Sequence, residues 1–328
     1  MEKRLFITFM ITLNKNIKKF TEELDKTIRE SKKILLVSHI NPDPDTLGSQ
    51  IALWHVIKLK YKNKKIHLYN KNIEKTKTLK EILDAVNYIK NKTDNFYDLI
   101  IGLEPSNFER LGLKKNLKFR KIFIIDHHLT LNKESFKNYD CTIYFDPKKE
   151  ACTGIIYDIC KVLKVNISLQ IKKAIILGIL SDTVFLKYAK SKLSFKILYE
   201  LIDENINLRE FNKALLCFEI KDYKEIIKIL KNAKFLKGRI AIFNLANSKL
   251  SNEKRSMIYE FARFLRDVIL YIFIDKNQKI YEYHLRSDYI DVSRISKIFN
   301  GGGHKNAAAF NSPLKPKKII EQIKKLIK

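Results

Sequence analysis

The chain is 328 residues long, enough for about two domains of ordinary size. Its hydrophobic fraction of 45% and charged fraction of 30% exclude a disordered chain, and only 9 glycines and 6 prolines exclude a collagen-like or linker-dominated one. Lys and Arg number 64 against 36 Asp and Glu, a formal net charge of +28 that attracts polyanions such as nucleic acids and nucleotides. Because the basic residues are spread along the whole chain, a general lysine-rich composition explains this charge equally well.

The cysteines and the apolar runs indicate which cellular compartment to expect for this chain. The four cysteines include no C-x-x-C pair, which predicts reduced thiols in a cytoplasmic protein and excludes a disulfide scaffold or a zinc ribbon. No apolar run approaches the roughly 18–20 residues of a membrane span, so we expect no membrane partner. The stretch Leu5–Leu13 is apolar, but no small-residue cleavage site follows it. We therefore expect a surface strand there and not a secretory leader.

The first part of the chain alternates helical patterns with short apolar runs. Residues 15–31 carry apolar side chains at helical spacing, and Lys33–Ser38 is typical of a buried parallel strand. Further helices are predicted at 49–61, 79–90, 151–164 and 169–181, and further strands at 65–69, 98–103 and 121–125. Strands that alternate with helices predict an α/β domain over residues 15–195, with a mostly parallel, five-stranded sheet.

The pattern changes in the last third of the chain. Residues 191–235 have almost no glycine or proline, and we predict a helical connection over 196–235. Then follow a strand at 239–245, a helix at 252–266, a hairpin of 268–275 and 279–286, a helix at 291–299, a glycine cluster and a last helix at 316–327. This order predicts a second, smaller α+β domain over residues 236–328, with the active site in the cleft between the two domains.

Carboxylate and imidazole side chains follow three of the predicted strands directly. Because the carboxyl ends of parallel strands meet at one edge of a sheet, residues far apart in sequence converge there. They are His39, Asp43 and Asp45, then Glu104, then Asp126, His127 and His128, with Asp182 as a fourth candidate position. One such residue is usually a turn or cap, but four clusters at the expected ends are hard to explain that way.

So much negative charge in one crevice requires cations. Mixed carboxylate and imidazole ligands suit manganese, iron or zinc better than calcium. The number of ligands is sufficient for two ions, and paired ions activate water for an in-line displacement at phosphorus. The residues themselves therefore predict phosphoester hydrolysis.

Three segments carry a resemblance to a known family. His39-Ile-Asn-Pro-Asp43-Pro-Asp45-Thr-Leu-Gly-Ser and the triplet Asp126-His127-His128 resemble the signature motifs of the DHH phosphoesterase superfamily. Gly301-Gly-Gly-His304-Lys-Asn-Ala-Ala, with Arg286-Ser287 ahead of it, resembles the GGGH motif of the DHH-associated C-terminal domain. By size the chain is similar to the stand-alone NrnA-type enzymes, which degrade oligoribonucleotides of a few residues. Many of these also dephosphorylate 3′-phosphoadenosine 5′-phosphate.

The resemblance implies a role for each motif residue. It assigns one Mn²⁺ ion to His39 and Asp43, with Mg²⁺ or Fe²⁺ as alternative metals. It assigns a second ion to Asp45, His127 and Asp182, and it implies that Glu104 bridges the two ions. His128 is implied to be an acid or a phosphate contact, and Asp126 a carboxylate that supports the histidines. The substrate's terminal phosphate or base would be bound by Arg286, Ser287, Gly301, Gly302, Gly303 and His304.

Glu104 departs from the family pattern, which normally has Asp at the bridging position before Arg-Leu-Gly. Glu keeps the charge but extends the carboxylate by about 1.5 Å, one C–C bond. Three outcomes stay open: a two-metal site, a weak one-metal site, and a non-catalytic nucleotide-binding protein. The first implies hydrolysis of short oligoribonucleotides to mononucleotides and of 3′-phosphoadenosine 5′-phosphate. Within the same chemistry, a phosphodiesterase for cyclic di-AMP or linear dinucleotides is the alternative.

Three further residues near these motifs have individual interpretations. Thr153 is expected to cap the helix that follows it, and the hydroxyl of Thr183 to support Asp182. His284 lies two residues before Arg286 in a predicted strand, so both side chains face the same side.

The sequence leaves the oligomeric state open.

Overall fold

The computed structural model describes residues 11–73, 79–80, 82–236, 239–250, 252–277 and 279–327. Contacts divide the chain into two compact units, Met1–Leu215 and Leu216–Lys328, and this boundary falls inside the predicted helical connection. Of the stretch Leu5–Leu13, only the last three residues are described, and they belong to a strand. Within the described residues, every helix is too short or too polar to span a membrane.

The first unit is built on one parallel sheet. Its strands run in the order β1-β7-β6-β5-β2-β3-β4, and every neighbouring pair is parallel. The elements are β1 Ile11–Asn14, α1 Ile17–Glu30, β2 Lys33–Ser38, α2 Pro44–Lys60, β3 Lys65–Tyr69, β4 Ile89–Lys90, β5 Phe96–Leu103, β6 Lys118–Asp126, β7 Cys141–Phe145, α3 Cys152–Leu163, α4 Leu169–Asp182, α5 Lys192–Leu201 and α6 Leu208–Leu216. The predicted α/β class is confirmed.

The sheet has seven described strands where five were predicted. Two strands were not predicted: β7, which lies between β1 and β6, and the two-residue β4 at the opposite edge. The predicted helix at 79–90 is also wrong: a 3₁₀ turn at Asp84–Tyr88 precedes β4, and residue 81 lies outside the described residues. Val86, Asn87 and Tyr88 are poor helix formers, which explains why no α-helix extends through this run.

Burial on both faces explains the continuous apolar runs of the central strands. Residues 34–37 of β2, 99–101 of β5 and 122–125 of β6 are fully buried. One face packs against α1, α2, α3 and α4, and the other against turns that include Leu111 and Phe136. Helix α2 begins at Pro44, five residues before the predicted start, because Asp43 caps it and proline suits the first turn.

The second unit is a mixed sheet with helices on both faces. Its strands run in the order β12-β13-β11-β10-β9-β8, with β9 and β10 parallel and the other pairs antiparallel. The elements are α7 Ile220–Lys231, β8 Lys234–Leu236, β9 Ile240–Asn244, α8 Asn252–Ala262, β10 Leu270–Asn277, β11 Ile280–Arg286, α9 Val292–Ile298, β12 Gly302–His304, β13 Ala307–Ser312 and α10 Pro316–Leu326. The predicted smaller α+β unit and its hairpin, β10 with β11, are confirmed.

Candidate metal centre

Side chains from β2, β5, β6, α2 and α4 converge at the carboxyl edge of the first sheet. They form two groups, and within each group the potential ligand atoms lie within 4.8 Å of one another. The groups are His39 with Asp43 and Glu104, and Asp45 with His127 and Asp182. A third combination joins Glu104 and His127 to His128. The structure thus brings together all the side chains for which the motifs implied a metal.

His39 and Asp43 are held by a shared neighbour, Thr46. His39 follows β2 directly and is buried, and its Nε2 lies 2.8 Å from the hydroxyl of Thr46. Asp43 caps α2 and accepts hydrogen bonds from the amide and hydroxyl of Thr46, both at 2.8 Å. Desolvation opposes ionisation of Asp43, but His39 and Thr46 hold the pKa of its carboxyl below the ordinary value. Asp43 is therefore ionised, and its side chain is a carboxylate.

Asp45 lies in the first turn of α2 and is completely buried. Its Oδ1 accepts hydrogen bonds from the amide of Thr153 at 3.0 Å and from its hydroxyl at 2.7 Å. Its Oδ2 accepts one from the amide of Cys152 at 2.6 Å. The expectation that Thr153 caps α3 is wrong: Ala151 occupies the cap position, and the hydroxyl of Thr153 serves Asp45.

Glu104 is held in an unusual backbone conformation. It follows β5 with φ at 53°, in the left-handed region that most side chains avoid, and its amide donates to the carbonyl of Ile125 at 2.9 Å. The side chain is 1% exposed, and neither carboxyl oxygen has a hydrogen-bond partner among the described residues. Burial, followed by the negative charge of Asp45, raises the pKa of Glu104 well above its ordinary value. A strained, unsatisfied carboxyl is a costly arrangement, as found at functional sites.

His127 points one nitrogen at the carboxylates. Its Nδ1 lies 3.1 Å from the carbonyl of Lys149 and donates to it, which directs Nε2 to the metal centre. Nε2 lies 3.4 Å from Oδ2 of Asp182, 3.7 Å from Oε2 of Glu104 and 3.9 Å from Oδ2 of Asp45. Burial would lower the pKa of His127, but Asp182 and Glu104 raise it to about 12.

His128 forms a pair with Asp126. Asp126 is buried at the end of β6, and its Oδ1 accepts hydrogen bonds from the amide of His128 at 2.8 Å and from its Nδ1 at 2.9 Å. Its Oδ2 accepts the amide of Ser106 at 3.1 Å. Although burial opposes it, the contact with His128 lowers the pKa of Asp126. Asp126 supports only one of the two histidines directly, since His127 is oriented by the Lys149 carbonyl.

The electrostatics of the centre fit divalent cations. Burial and the charge of Asp45 raise the pKa of Asp182 to about 7, and burial also raises that of Asp45. Nδ1 of His39 and Nε2 of His127 are buried without hydrogen-bond partners among the described residues. A bound cation would give these nitrogen and oxygen atoms a partner and would reduce the repulsion between the carboxylates. Imidazole and carboxylate ligands together suit manganese, iron or zinc.

In the second unit, strand pairing aligns two of the residues predicted to bind substrate. Arg286 on β11 and His304 on β12 both pair with Ala307 on β13, so the three residues form one row across the sheet. The guanidinium of Arg286 lies 4.8 Å above the ring of Tyr259. His284, two residues before Arg286 on β11, stacks on the same ring at 5.4 Å. The two side chains therefore share a face, as the strand alternation predicted.

The structure gives Ser287, Gly301 and Gly303 structural roles. Ser287 is fully buried; its hydroxyl donates to the carbonyl of Ile269 and accepts two amides, so substrate contact by Ser287 has no support. A Cβ at Gly301 would lie 2.3 Å from the carbonyl oxygen of Ala309, and Gly303 has φ at 138°. A Cβ at Gly302 would meet nothing within 4 Å, so this glycine alone faces open space.

Several supporting residues escaped the sequence analysis. Thr46 and the carbonyl of Lys149 have no role in the motif interpretation, and Asn70, fully buried, donates to the carbonyl of His39 at 2.7 Å. Asn70 follows β3 directly, as His39 follows β2, and Thr46 lies inside the first motif, so position along the chain is the signal that could have found both. The expectation for Thr183 is wrong, since its hydroxyl donates to the carbonyl of Ile179.

Residues 33–180 match the model of the DHH family, N-terminal domain. The chain is 25% identical to the probable bifunctional oligoribonuclease and PAP phosphatase NrnA of Streptococcus mutans over 306 aligned residues. The alignment covers 90% of this chain and 95% of the relative. It is 26% identical to the bifunctional oligoribonuclease and PAP phosphatase NrnA of Mycoplasma genitalium, over 87% of this chain and 90% of the relative. An exopolyphosphatase-related protein from Bacteroides fragilis shares the fold, with a TM-score of 0.76 and 18% identity over 94% of this chain and 95% of that one. The resemblance inferred from the motifs is confirmed for the first unit, where residues 33–180 are similar to the N-terminal domain of the DHH family.

Proposed function

We propose that this protein is a hydrolase that uses two divalent cations, Mn²⁺ in the first instance, to cleave short oligoribonucleotides to mononucleotides. It also removes a phosphate from 3′-phosphoadenosine 5′-phosphate. The names of the Streptococcus mutans and Mycoplasma genitalium relatives support this choice of substrates. The DHH domain supports phosphoester chemistry.

One observation carries the proposal: Glu104 is buried, its carboxyl has no hydrogen-bond partner among the described residues, and it lies near histidines of both groups. It shares a ligand group with His39 and Asp43, and its Oε2 lies 3.7 Å from Nε2 of His127, which belongs to the group of Asp45 and Asp182. A carboxyl that faces two sets of donors is the arrangement needed for a bridged pair of ions. Bound there, the ions would supply an activated water and neutralise the oxygens of the phosphoryl group.

The chain's own residues contribute orientation and a proton. Because Asp126 accepts from Nδ1 of His128, the opposite ring nitrogen is left to contact a phosphate oxygen or to protonate the leaving oxygen. His128 suits this role because its side chain is 35% exposed, whereas that of His127 is 11% exposed. Arg286 and His304 would bind the terminal phosphate, since a guanidinium matches phosphate oxygens with two hydrogen bonds.

The proposal is tested with labelled RNA of two to five nucleotides and with 3′-phosphoadenosine 5′-phosphate, in Mn²⁺ and after metal removal by a chelator. We expect mononucleotide release that disappears with the metal and returns when Mn²⁺ is restored. Asp45→Ala should abolish release while the fold survives. Asp140→Ala, which removes a half-exposed carboxylate elsewhere in the first unit, is the matched control and should behave as the wild type.

The remaining interpretations predict different results in the same assay. Cleavage of cyclic di-AMP without cleavage of RNA would move the assignment to a cyclic dinucleotide phosphodiesterase. Nucleotide binding without turnover at any Mn²⁺ concentration would contradict the enzyme and favour a binding protein.

A further inference from the structure

The carboxylate of Asp45 is enclosed by helices other than its own. All three of its hydrogen bonds come from the first two residues of α3, Cys152 and Thr153. Both Asp45 and Thr153 are fully buried, so water does not compete for these bonds. Two backbone amides at a helix N-terminus and one hydroxyl form a charge-assisted cradle for an anion.

The hydrogen bonds divide unevenly between the two carboxylate oxygens. Oδ1 accepts both bonds from Thr153, whereas Oδ2 accepts only the amide of Cys152 and lies 3.9 Å from Nε2 of His127. The side-chain hydroxyl therefore anchors Oδ1, and Oδ2 is the oxygen that the structure places near His127. Oδ2 keeps a free lone pair directed at the metal centre.

Helix α4 closes the space on the remaining side. A Cβ at Gly178 would lie 2.3 Å from Oδ1 of Asp45 and 2.4 Å from Oγ1 of Thr153. Only a glycine leaves room for this pair of side chains, so the pair is packed directly against the backbone of α4. Since α4 also carries Asp182, the contact ties the two carboxylates of the same ligand group together.

We propose that Thr153 is a positioning residue for the metal centre: its hydroxyl fixes the rotamer of Asp45 so that Oδ2 alone is offered to a divalent cation. This inference rests on the proposed metal site and adds the residue that sets its geometry. A preset ligand loses little conformational freedom on binding, which strengthens the site without a further ligand.

A purely structural role for Thr153 predicts something else. In that case loss of the hydroxyl would lower the stability of the fold, because a buried acceptor is left with one bond fewer. The affinity for metal would then stay the same in the folded variant. Metal affinity and stability must therefore be measured separately.

The experiment titrates Mn²⁺ into the metal-free full-length protein and follows free Mn²⁺ by electron paramagnetic resonance, so the readout does not depend on turnover. Thr153→Val keeps the shape and removes the hydroxyl, whereas Thr153→Ser keeps the hydroxyl. The matched control is Thr142→Val, which removes a buried hydroxyl that donates to Glu23 in the same unit. We expect one of two Mn²⁺ ions to bind roughly 10- to 100-fold more weakly in Thr153→Val, the usual effect of losing a residue that orients a ligand. Thr153→Ser and Thr142→Val should bind both ions as the wild type does.

Thermal unfolding of each metal-free variant shows which of them are folded. If Thr153→Val does not fold, Thr153→Ala replaces it with the same expectation. Wild-type affinity in a folded Thr153→Val or Thr153→Ala would overturn the positioning role and leave the metal site intact. A wild-type protein that binds no Mn²⁺ would contradict the proposed function itself, and this inference with it.

Discussion

At the scale of single residues, Glu104 combines three unfavourable features that the proposed cation would relieve. Its backbone is left-handed, its carboxyl is buried, and both oxygens lack partners among the described residues. Each of these costs free energy, and the negative neighbour Asp45 adds to the cost. The extra methylene relative to the usual Asp lengthens the reach of this carboxyl, which shares a ligand group with His39 and Asp43 and lies 3.7 Å from Nε2 of His127.

Substitution of Glu104 separates the effect of its charge from the effect of its length. Glu104→Gln should weaken Mn²⁺ binding by at least roughly tenfold, because the amide replaces an anionic ligand with a neutral one. Glu104→Asp should retain binding and turnover. Both are measured by Mn²⁺ titration of the metal-free protein and by mononucleotide release. Equal Mn²⁺ binding and equal turnover in Glu104→Gln and the wild type would contradict a bridging role for Glu104.

His284 makes the stability of the second unit sensitive to acid. Burial, followed by the positive charges of Arg286 and Arg255, lowers its pKa from 6.5 to about 4. Between pH 6.5 and 4 the imidazole is protonated in the unfolded chain but neutral in the folded one. The contribution of neutral His284 to the free energy of unfolding is therefore complete above pH 6.5 and is lost as the pH falls towards 4.

We therefore expect wild type to lose more stability than His284→Gln between pH 7.5 and pH 5, by at most about 2 kcal/mol. Urea unfolding of both proteins at the two pH values measures the difference. Parallel losses would show that His284 does not titrate differently in the two states.

At the scale of secondary structure, close helix packing positions the ligands. Asp45 lies in the first turn of α2 and Asp182 ends α4, and these two helices pack closely at Gly48 and Gly178. A Cβ at Gly48 of α2 would lie 2.5 Å from the carbonyl oxygen of Ala174 in α4. The small residues let the backbones approach closely enough for the two carboxylates to share one group of ligands.

Gly48→Ala should therefore destabilise the fold by about 1–3 kcal/mol, since the backbone of α4 must move. Gly154→Ala in α3 is the matched control, because its Cβ would meet only side-chain atoms at 3.5 and 3.7 Å. The control should leave stability unchanged or raise it by about 0.5–1 kcal/mol through helix propensity. Chemical unfolding of the three proteins checks both values, and equal losses in the two variants would refute the packing account.

At the scale of the whole molecule, the net charge of +28 bears on substrate capture. An RNA of five nucleotides carries several phosphates that can replace counterions, whereas a dinucleotide carries fewer. Raising the salt from 50 to 200 mM should increase the KM for the pentanucleotide roughly tenfold and that for the dinucleotide much less. Initial rates at several salt concentrations measure both. Equal salt dependence for the two substrates would mean that the charge is a property of composition alone.

The fold class, and the side chains that the structure brings together in the candidate centre, could be predicted from the amino-acid sequence. Apolar runs such as Lys33–Ser38 mark buried strands because both of their faces are covered, and motif residues follow directly after them. The edge strand β4 escaped prediction because it has only two residues. The predicted helix over 79–90 failed where backbone pairing with β3 prevailed over an apolar pattern.

The residues that support those side chains could not be predicted, because they come from distant parts of the chain. Thr153 is 108 positions from Asp45, and the carbonyl of Lys149 is 22 positions from His127, so no local pattern connects either pair. Ser287 shows the converse, since a motif position proved to be a buried structural hydroxyl. Local periodicity determines elements because it reflects burial along one segment. The hydrogen bonds around a buried carboxylate depend on how separate helices pack, and that is settled only when the chain is folded.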